Sequence, residues 1–256
     1  MCTLVILRRP EHPWPVIIGA NRDEMLTRPA RPPARHWPDR PDVVAGLDEL
    51  AGGSWLGLND WGVAAAVLNR HGSLGPAPGQ RSRGELVLEA LDHPDAVAAA
   101  EALAHLDPGS YRTFNLIVAD NRDAFWLRHA DGRNIDAWPI PEGLSLIDSG
   151  ELNRPNNRRV TLAAPRFRAA APPDPDADDW ADWQGLLADT ESPAGEPPEN
   201  ALRFRMPHGY GTVSSALIAL PAPDTAERKP RFRYAQWQPA PLPWTDVGAA
   251  AESPPR

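Results

Sequence analysis

The chain has 256 residues, of which 31 are proline and one is cysteine, and its 26 basic and 34 acidic side chains give a formal net charge of −8. This charge, with no basic block, argues against a nucleic acid or an anionic membrane surface as the main partner, because both bind clustered Lys and Arg. A single cysteine excludes an internal disulfide, a zinc ribbon and a Cys-x-x-Cys redox pair. No apolar stretch approaches the roughly 18 residues of a membrane span, and no signal peptide is visible, so we expect a cytoplasmic protein. These features leave its oligomeric state open.

The first quarter of the chain is predicted to consist mainly of strands. Apolar runs at 3–7 and 16–20 flank a proline-bearing turn and are predicted to pair with each other. The stretch 27–42 is rich in Pro and Arg, which predicts an exposed loop. A second hairpin is predicted for 55–59 and 63–68, with a glycine in its turn.

Two helices and several further strands follow. Ser82 and Glu85 have the spacing of a capping box at the start of a leucine-rich helix, and His105 is predicted to cap the end of an alanine-rich helix. A helix over 156–170 is predicted to be interrupted at Pro165. Further strands are predicted at 114–119, 124–128, 143–148, 213–220 and 231–237.

The last third of the chain contains two Pro-rich stretches. Residues 171–200 are predicted to form an insertion or long surface loop around a short helix, which Trp180 and Trp183 anchor to the domain. Residues 239–256 are predicted to form a Pro-rich tail without regular structure. The order of hairpins, helices and hairpins favours a single α+β domain over residues 1–238.

Cys2 is the first residue to consider for chemistry. If Met1 is removed, Cys2 gains a free α-amine, whose pKa of about 7.7–8.0 lies near the thiol value of about 8.5. The amine could then accept the thiol proton at neutral pH and make the sulfur a nucleophile. An isolated cysteine is, however, more often a small buried residue that opens a strand.

Two polar segments could complete such a site. Pairing of the first two strands brings the tetrad 21–24 beside the chain start, where Arg22 could lower the thiol pKa and a carboxylate could hold the α-ammonium. Four polar residues at a strand end are also an ordinary turn. Asn69 ends a predicted strand, where its amide could donate to a developing oxyanion or bond to its own backbone.

A group of arginines lies further along the chain, at Arg154, Arg158 and Arg159, beside Asn156 and Asn157. These guanidinium groups could face a substrate carboxylate, because Arg binds carboxylates in a bidentate manner. We expect them to face solvent instead.

Seven short motifs occur in order between residue 1 and about residue 220: Met1-Cys2-Thr3, Ala20-Asn-Arg-Asp-Glu24, Gly52-Gly-Ser-Trp-Leu-Gly57, Leu68-Asn69, Arg83-Gly-Glu-Leu-Val87, Phe114-Asn-Leu-Ile117 and Tyr210-Gly-Thr212 followed by Ser214-Ser215. Together they resemble the NRDE-motif family, also called the transport and Golgi organization protein 2 family. The resemblance implies the fold of N-terminal-nucleophile hydrolases, a four-layer αββα sandwich whose mature first residue attacks an amide carbonyl.

The same resemblance implies roles for individual residues. Cys2 is expected to be the nucleophile of a cysteine amidohydrolase, with its α-amine as the base. Asp23 is expected to bind that amine, Arg22 to stabilise the thiolate, and Asn69 to donate to the oxyanion. The implied substrate is a small-molecule amide, with no cofactor.

A second oxyanion donor is expected at Asn153 or Ser149. The alternative function is a non-enzymatic carrier, since relatives have been proposed to move haem within cells. The possible haem ligands and stacking faces are Cys2, Met25, His36, His71, His105, Trp37, Trp55 and Trp61.

Overall fold

The computed structural model describes residues 2–73, 75, 77–154, 158–223 and 228–248. The strands are β1 (Thr3–Arg8), β2 (Val16–Met25), β3 (Ala30–Ala34), β4 (Val43–Asp48), β5 (Leu56–Asn59), β6 (Ala64–Asn69), β7 (Phe114–Ala119), β8 (Ala124–His129), β9 (Asp136–Pro139), β10 (Gly143–Ile147), β11 (Tyr210–Leu220), β12 (Arg231–Gln236) and β13 (Leu242–Asp246). The helices are α1 (Gly84–Leu91), α2 (Ala96–Ala104), α3 (Arg158–Ala169) and α4 (Ala181–Ala188).

The strands form two antiparallel sheets. The first sheet has the order β10-β1-β2-β11-β12-β13, and the second has the order β3-β4-β5-β6-β7-β8-β9. In the first sheet β2 lies between β1 and β11, so its polar end is flanked by two neighbouring strands. Thr3 pairs with Asn21, and Ser214 pairs with Arg22.

The molecule has four layers because each sheet is apolar on both faces. One core lies between the sheets and includes Ile6 and Ile18 from the first sheet and Leu56 and Ile117 from the second. The outer face of the second sheet packs against α1 and α2. The outer face of the first sheet packs against α3 and α4. The order of layers is therefore α-β-β-α.

Both predicted hairpins are confirmed. Strands β1 and β2 pair over six residue pairs, from Thr3 opposite Asn21 to Arg8 opposite Val16. The turn between β5 and β6 contains Gly62 with φ +88°, a conformation that glycine adopts without steric cost.

Two regions predicted to lack regular structure each contain an edge strand. β3 lies within the predicted loop 27–42 and contains two prolines, which an edge strand tolerates because one of its sides has no ladder partner. β13 lies within the predicted tail, where it pairs with β12. Both predictions were wrong at these positions, since composition does not show a partner strand that is distant in sequence. Residues 249–256 of the predicted tail lie outside the described residues.

The predicted capping box is also wrong. Helix α1 begins at Gly84, and Ser82 Oγ accepts a hydrogen bond from the Gly84 N–H at 3.2 Å. The Glu85 carboxylate instead accepts from Arg81 Nε at 2.7 Å. The Glu85 side chain therefore pairs with Arg81, four residues earlier in the chain, and accepts from no described backbone N–H at the start of α1. The C-terminal prediction is confirmed, because His105 is the C-cap residue of α2.

Helices α3 and α4 form the outer layer over the first sheet. Pro165 lies inside α3 on its exposed side and does not interrupt it, contrary to the prediction; residues 156 and 157 lie outside the described residues. Trp180 and Trp183 are buried, at 2% and 1% exposure, so they anchor the stretch 171–200 as predicted. None of the described helices is long and apolar enough to cross a membrane.

Candidate active site

Cys2 lies at the start of β1, beside the polar end of β2. Its Sγ atom accepts a hydrogen bond from the Asp23 N–H at 3.4 Å and lies 3.7 Å from the Asp23 carbonyl oxygen. The hairpin of β1 and β2 therefore brings the sulfur and the tetrad together, although they are about twenty residues apart in the chain.

The surroundings of Cys2 keep its thiol protonated. Burial and the negative charge of Asp23 raise the pKa of the thiol above its ordinary value. The hydrogen bond from the Asp23 backbone and the positive charge of Arg22 act in the opposite direction, without reversing the shift. A neutral thiol has to lose its proton before it can act as a nucleophile, so chemistry at this sulfur requires a nearby base.

Arg22 supplies a buried positive charge at this end of β2. Only 8% of the residue is exposed, and its guanidinium group lies 4.1 Å above the centre of the Trp55 ring. Burial lowers the pKa of Arg22, but a guanidinium group remains charged at neutral pH. The tryptophan of the Gly52–Gly57 motif therefore holds the arginine of the tetrad.

Asp23 is fixed by two donors from other parts of the chain. Thr212 Oγ1 on β11 donates to Asp23 Oδ1 at 2.8 Å, and Arg159 Nη1 on α3 donates to Asp23 Oδ2 at 2.6 Å. The side chains of Arg159 and Asp23 are 3% and 0% exposed. The carboxylate is thus held in one orientation by a neutral and a charged hydrogen bond.

Arg159 corrects one of the predictions. We expected Arg154, Arg158 and Arg159 to face solvent; Arg154 and Arg158 are exposed, but Arg159 is buried. Arg159 lies one residue beyond Arg158 on the helix, about 100° further around its axis, so adjacent arginines can have opposite surroundings. Their predicted neighbours Asn156 and Asn157 lie outside the described residues. Nothing in the local sequence separates Arg159 from the other two.

A narrow cavity between the sheets adjoins Cys2. Its volume is about 20 Å³, which is room for about one water molecule. Its walls include Cys2, Arg22, Trp55, Leu68 and Ser215. Ser215 also donates to Asn21 and accepts from Trp237 Nε1 at 2.7 Å, so the two serines of the last motif lie at the same end of the first sheet as the tetrad.

Asn69 is the last residue of β6, directly after Leu68 of the cavity wall. It is partly exposed and lies opposite Phe114 on β7. Among the described residues, no hydrogen bond occupies its side-chain amide. Asn69 is not among the residues that line the cavity beside Cys2.

The two expected second donors lie after β10. Asn153 has φ 54°, and its Oδ1 accepts from the Leu146 N–H at 2.8 Å while its Nδ2 donates to Ser145 Oγ at 2.9 Å. Asn153 thus folds the chain back onto β10, and it is not among the residues that line the cavity beside Cys2. Ser149 is buried and lines a second, larger cavity.

The three histidines considered for haem binding lie on different elements of the fold. His36 Nε2 lies 2.8 Å from the Pro32 carbonyl oxygen, and His105 Nδ1 lies 2.7 Å from the Glu101 carbonyl oxygen. His71 is exposed and lines the larger cavity. Within the described ranges, no group of three or more His, Cys, Asp or Glu side chains is arranged to hold a metal ion.

Comparison with known proteins identifies related sequences. The family model described as "Transport and Golgi organisation 2" matches residues 1–171. The Transport and Golgi organization protein 2 homolog of Bos taurus is 40% identical over 114 residues, which are 41% of this chain and 38% of that protein. The Homo sapiens homolog is 36% identical over 115 residues, with the same coverage. The match therefore spans less than two fifths of these relatives.

Solved structures show the same fold at low sequence identity. A Caenorhabditis elegans ortholog of N-acylethanolamine-hydrolyzing acid amidase superposes with a TM-score of 0.60 at 13% identity, covering 88% of this chain and 96% of that one. A cysteine-to-alanine mutant of conjugated bile acid hydrolase from Clostridium perfringens superposes with a TM-score of 0.53 at 11% identity, covering 97% and 93%. The predicted αββα fold of the N-terminal-nucleophile hydrolases is confirmed.

Proposed function

Because the chain belongs to the transport and Golgi organisation 2 family and has an amidohydrolase-type scaffold, we propose that it hydrolyses the C–N bond of a small amide with Cys2 as the nucleophile. One observation carries the proposal. The Cys2 sulfur lies against the backbone of Asp23, whose carboxylate is fixed from two sides by Thr212 and Arg159.

The reaction begins with removal of Met1, which gives Cys2 a free α-amine. The amine takes the thiol proton, and the Asp23 carboxylate stabilises the resulting ammonium. This proton transfer is needed because burial and the Asp23 carboxylate raise the pKa of the Cys2 thiol. Without a base, little of the thiol is present as thiolate at neutral pH. Arg22, held on Trp55, stabilises the thiolate from the other side.

The thiolate sulfur then attacks the amide carbonyl carbon, and the C=O electron pair moves to the oxygen. Asn69 donates its free amide N–H to this oxyanion. When the tetrahedral intermediate collapses, the C–N bond breaks and the α-ammonium gives its proton to the leaving amine. Water, deprotonated by the same α-amine, hydrolyses the thioester at Cys2 and releases the acid.

The cavity beside Cys2 constrains where the amide binds. At about 20 Å³ it cannot enclose an acyl chain, so the scissile bond lies at its mouth, between Cys2 and the end of β6. Substrates with short acyl groups are therefore the first to test.

The decisive test separates the thiol from the amine. The protein is produced with a removable N-terminal tag in front of Cys2 and assayed on a panel of amides before and after the tag is cleaved. The panel includes an N-acylethanolamine and a conjugated bile acid, the compounds named for the two structural neighbours. Activity is expected only after cleavage exposes the Cys2 amine.

Variants supply the controls for this test. Cys2→Ala is expected to abolish hydrolysis, and Asn69→Ala to lower kcat by about 100-fold or more, as loss of an oxyanion donor does. Asn121→Ala, which removes a bond to the Pro221 carbonyl oxygen, serves as the matched asparagine control. Equal activity of the wild type and Cys2→Ala, or retention of Met1 on the purified protein, contradicts the proposal. A haem Soret shift that survives Cys2→Ala in a chain without amidase activity favours the carrier instead.

A further inference from the structure

A second cavity opens at the same end of the sandwich as Cys2. It has a volume of about 420 Å³, within the range of about 300–1,000 Å³ that is usual for small-molecule sites. Its walls include Arg70, His71, Ser149, Gly150 and Arg154. None of these residues has a role in the proposed hydrolysis, although Ser149 was one of the two expected second oxyanion donors.

The topology places this cavity beside the nucleophile. Leu4 on β1 lies opposite Ile147 on β10, so the residues that follow β10 lie at the end of the sheet where Cys2 precedes β1. Ser149 follows Ile147 by two residues, and its carbonyl oxygen accepts from the His71 N–H at 3.1 Å. The turn after β10, which forms part of the wall of the second cavity, therefore lies beside the start of β1.

The described residues that line the cavity include two arginines and no carboxylate, on a chain whose net charge is −8. The acidic neighbours of the cavity are Asp148, whose Oδ1 accepts from the Gly150 N–H at 2.8 Å, and Glu151, which is shared between Arg70 and Arg128. Burial opposes ionisation of Glu151, but the hydrogen bonds from these two guanidinium groups outweigh it and hold the pKa of the carboxyl below its ordinary value. Arg128 also lies 3.8 Å from the Asp136 carboxylate, so these two guanidinium groups are matched by two carboxylates.

Arg154 supplies the cavity wall with a positive charge that no described carboxylate pairs with. Its side chain is exposed in the cavity wall, and among the described residues no hydrogen bond or ion pair occupies its guanidinium group. A planar guanidinium group with free N–H donors is suited to bidentate binding of a carboxylate or phosphate.

Asn115 holds Arg70 and Gly150 of the cavity wall in place. This residue is fully buried; its Nδ2 donates to the carbonyl oxygens of Asp148 and Gly150, at 2.9 and 2.8 Å. Its Oδ1 accepts from Arg70 Nη1 at 2.6 Å and from Trp126 Nε1 at 3.1 Å. With all of these bonds made, the Asn115 amide fixes both the turn after β10 and the position of Arg70.

We propose that this cavity binds an anionic group, a carboxylate, sulfonate or phosphate, carried by the amide substrate, with Arg154 and Arg70 as its ligands. This proposal rests on the proposed function in one respect, namely that the bound molecule is an amide. It makes the enzyme selective for charged over neutral amides. Charge-assisted hydrogen bonds are about twice as strong as neutral ones, which supports an expected preference of about tenfold.

The test measures binding to the Cys2→Ala protein, so that no hydrolysis is needed. The ligands are N-hexanoylglycine and N-hexanoylglycinamide, which have nearly the same shape and differ in charge. NMR titration follows the backbone amides of Thr113, Ser149 and Gly150. We expect these signals to shift with both ligands and the dissociation constant to be about tenfold lower for the acid.

Arginine variants locate the preference. Arg154→Gln is expected to reduce the ratio of the two dissociation constants to threefold or less. Arg168→Gln, which removes the same charge from an exposed position on α3, is expected to leave the ratio unchanged. A phosphonate analogue distinguishes the sources of the anion: tighter binding than the carboxylate indicates a phosphate-bearing substrate, and weaker binding indicates a carboxylate.

Three results overturn the proposal: equal affinity for the acid and the amide, no shift at the three reporter amides, or a preference that persists in Arg154→Gln. These results bear on the cavity alone, because the assay contains no nucleophile. Conversely, if the wild-type protein is inactive but Cys2→Ala still binds the acid more tightly than the amide, the proposed hydrolysis is contradicted. The proposed anion site is supported by the same result.

Discussion

At the scale of single residues, the ion pair between Asp23 and Arg159 is the most consequential contact at the candidate site. Both side chains are removed from water, and Arg159 Nη2 also donates to the Leu202 carbonyl oxygen at 2.6 Å. Burying two charges costs free energy that their attraction only partly returns, so such a pair contributes less to stability than to orientation. It fixes the carboxylate that the proposed mechanism requires beside the α-amine.

Removing one partner of this pair leaves the other charge buried and uncompensated. Arg159→Leu is therefore expected to lower the free energy of unfolding by about 3–5 kcal/mol. The double variant Asp23→Asn/Arg159→Leu is expected to lose less than the sum of the two single variants, because it leaves no isolated charge. Urea unfolding of the four proteins measures both effects.

Arg158→Leu is the matched control, since Arg158 precedes Arg159 on the same helix and pairs with Glu196 at the surface. Its urea midpoint is expected to stay close to that of the wild type. Additive losses in the double variant, or an Arg159→Leu protein as stable as Arg158→Leu, would show that the buried pair is not a coupled unit.

At the scale of elements, two of the sequence motifs pack directly against each other. The Ser54 N–H donates to the Gly84 carbonyl oxygen at 3.0 Å, which joins the Gly52–Gly57 segment to the start of α1. A Cβ atom at Gly53 would lie 2.5 Å from the backbone carbon of Gly84. The two backbones are thus in contact, which explains why both motifs contain glycine. This contact positions Trp55 and, through it, Arg22.

Gly53→Ala is expected to destabilise the protein by about 1–3 kcal/mol, because a backbone cannot move aside as a flexible side chain can. Gly185→Ala is the matched control: Gly185 lies inside α4 and a Cβ atom there meets nothing within 4 Å. That variant is expected to gain about 0.5–1 kcal/mol from the better helix propensity of alanine. Thermal unfolding compares them, and a stable Gly53→Ala protein would contradict the close contact.

At the scale of the whole molecule, β13 forms one edge of the first sheet. In the first sheet, β13 covers the edge of β12, and its Asp246 lies 3.2 Å from Arg231 and 3.7 Å from Arg233. Trp244 packs edge-on against Trp237, with ring centres 6.2 Å apart. The last described strand therefore completes the sheet that carries Cys2 and the tetrad.

A chain that ends at residue 238 lacks β13 and leaves the backbone groups of β12 unpaired. We expect its melting temperature to fall by several degrees, since a loss of 1 kcal/mol corresponds to about 2–4 °C at this size. We also expect it to self-associate, because an open edge strand pairs readily with another chain. A chain that ends at residue 248 keeps the strand and is the control. Equal melting temperatures and equal masses by light scattering would contradict this role of β13.

The strands that could be predicted were those whose apolar pattern and turn residues lie within one short segment of the chain. The paired strands β1 and β2 and the hairpin of β5 and β6 show alternating or continuous apolar runs with a turn between them, and both were predicted. β4 and β9 were not, and β3 and β13 were mistaken for irregular chain. β3, β9 and β13 have four or five residues and contain proline, and β4 contains Gly46; all four are held by a neighbouring strand more than by their own composition.

The site shows the same division between local and distant information. Cys2 and the tetrad could be brought together from sequence because one hairpin joins them. Arg159 is 136 residues from Asp23, and no property of the arginine run distinguishes the member that turns inward. Thr212 belonged to a recognised motif, yet its bond to Asp23 required the register between β11 and β2.

By itself, the sequence determined the α+β class, the family resemblance and the presence of a cysteine able to become an N-terminal nucleophile. These follow from apolar periodicity, motif order and residue position, which are properties of short segments. Only the tertiary structure shows that Arg159 pairs with Asp23 and that Asn153 is hydrogen-bonded to β10. It also shows that a cavity lined by Arg70 and Arg154 lies at the same end of the sandwich as Cys2. Those features arise where strands and helices distant in sequence are packed together, and their energies depend on burial and charge that the chain acquires only when it is folded.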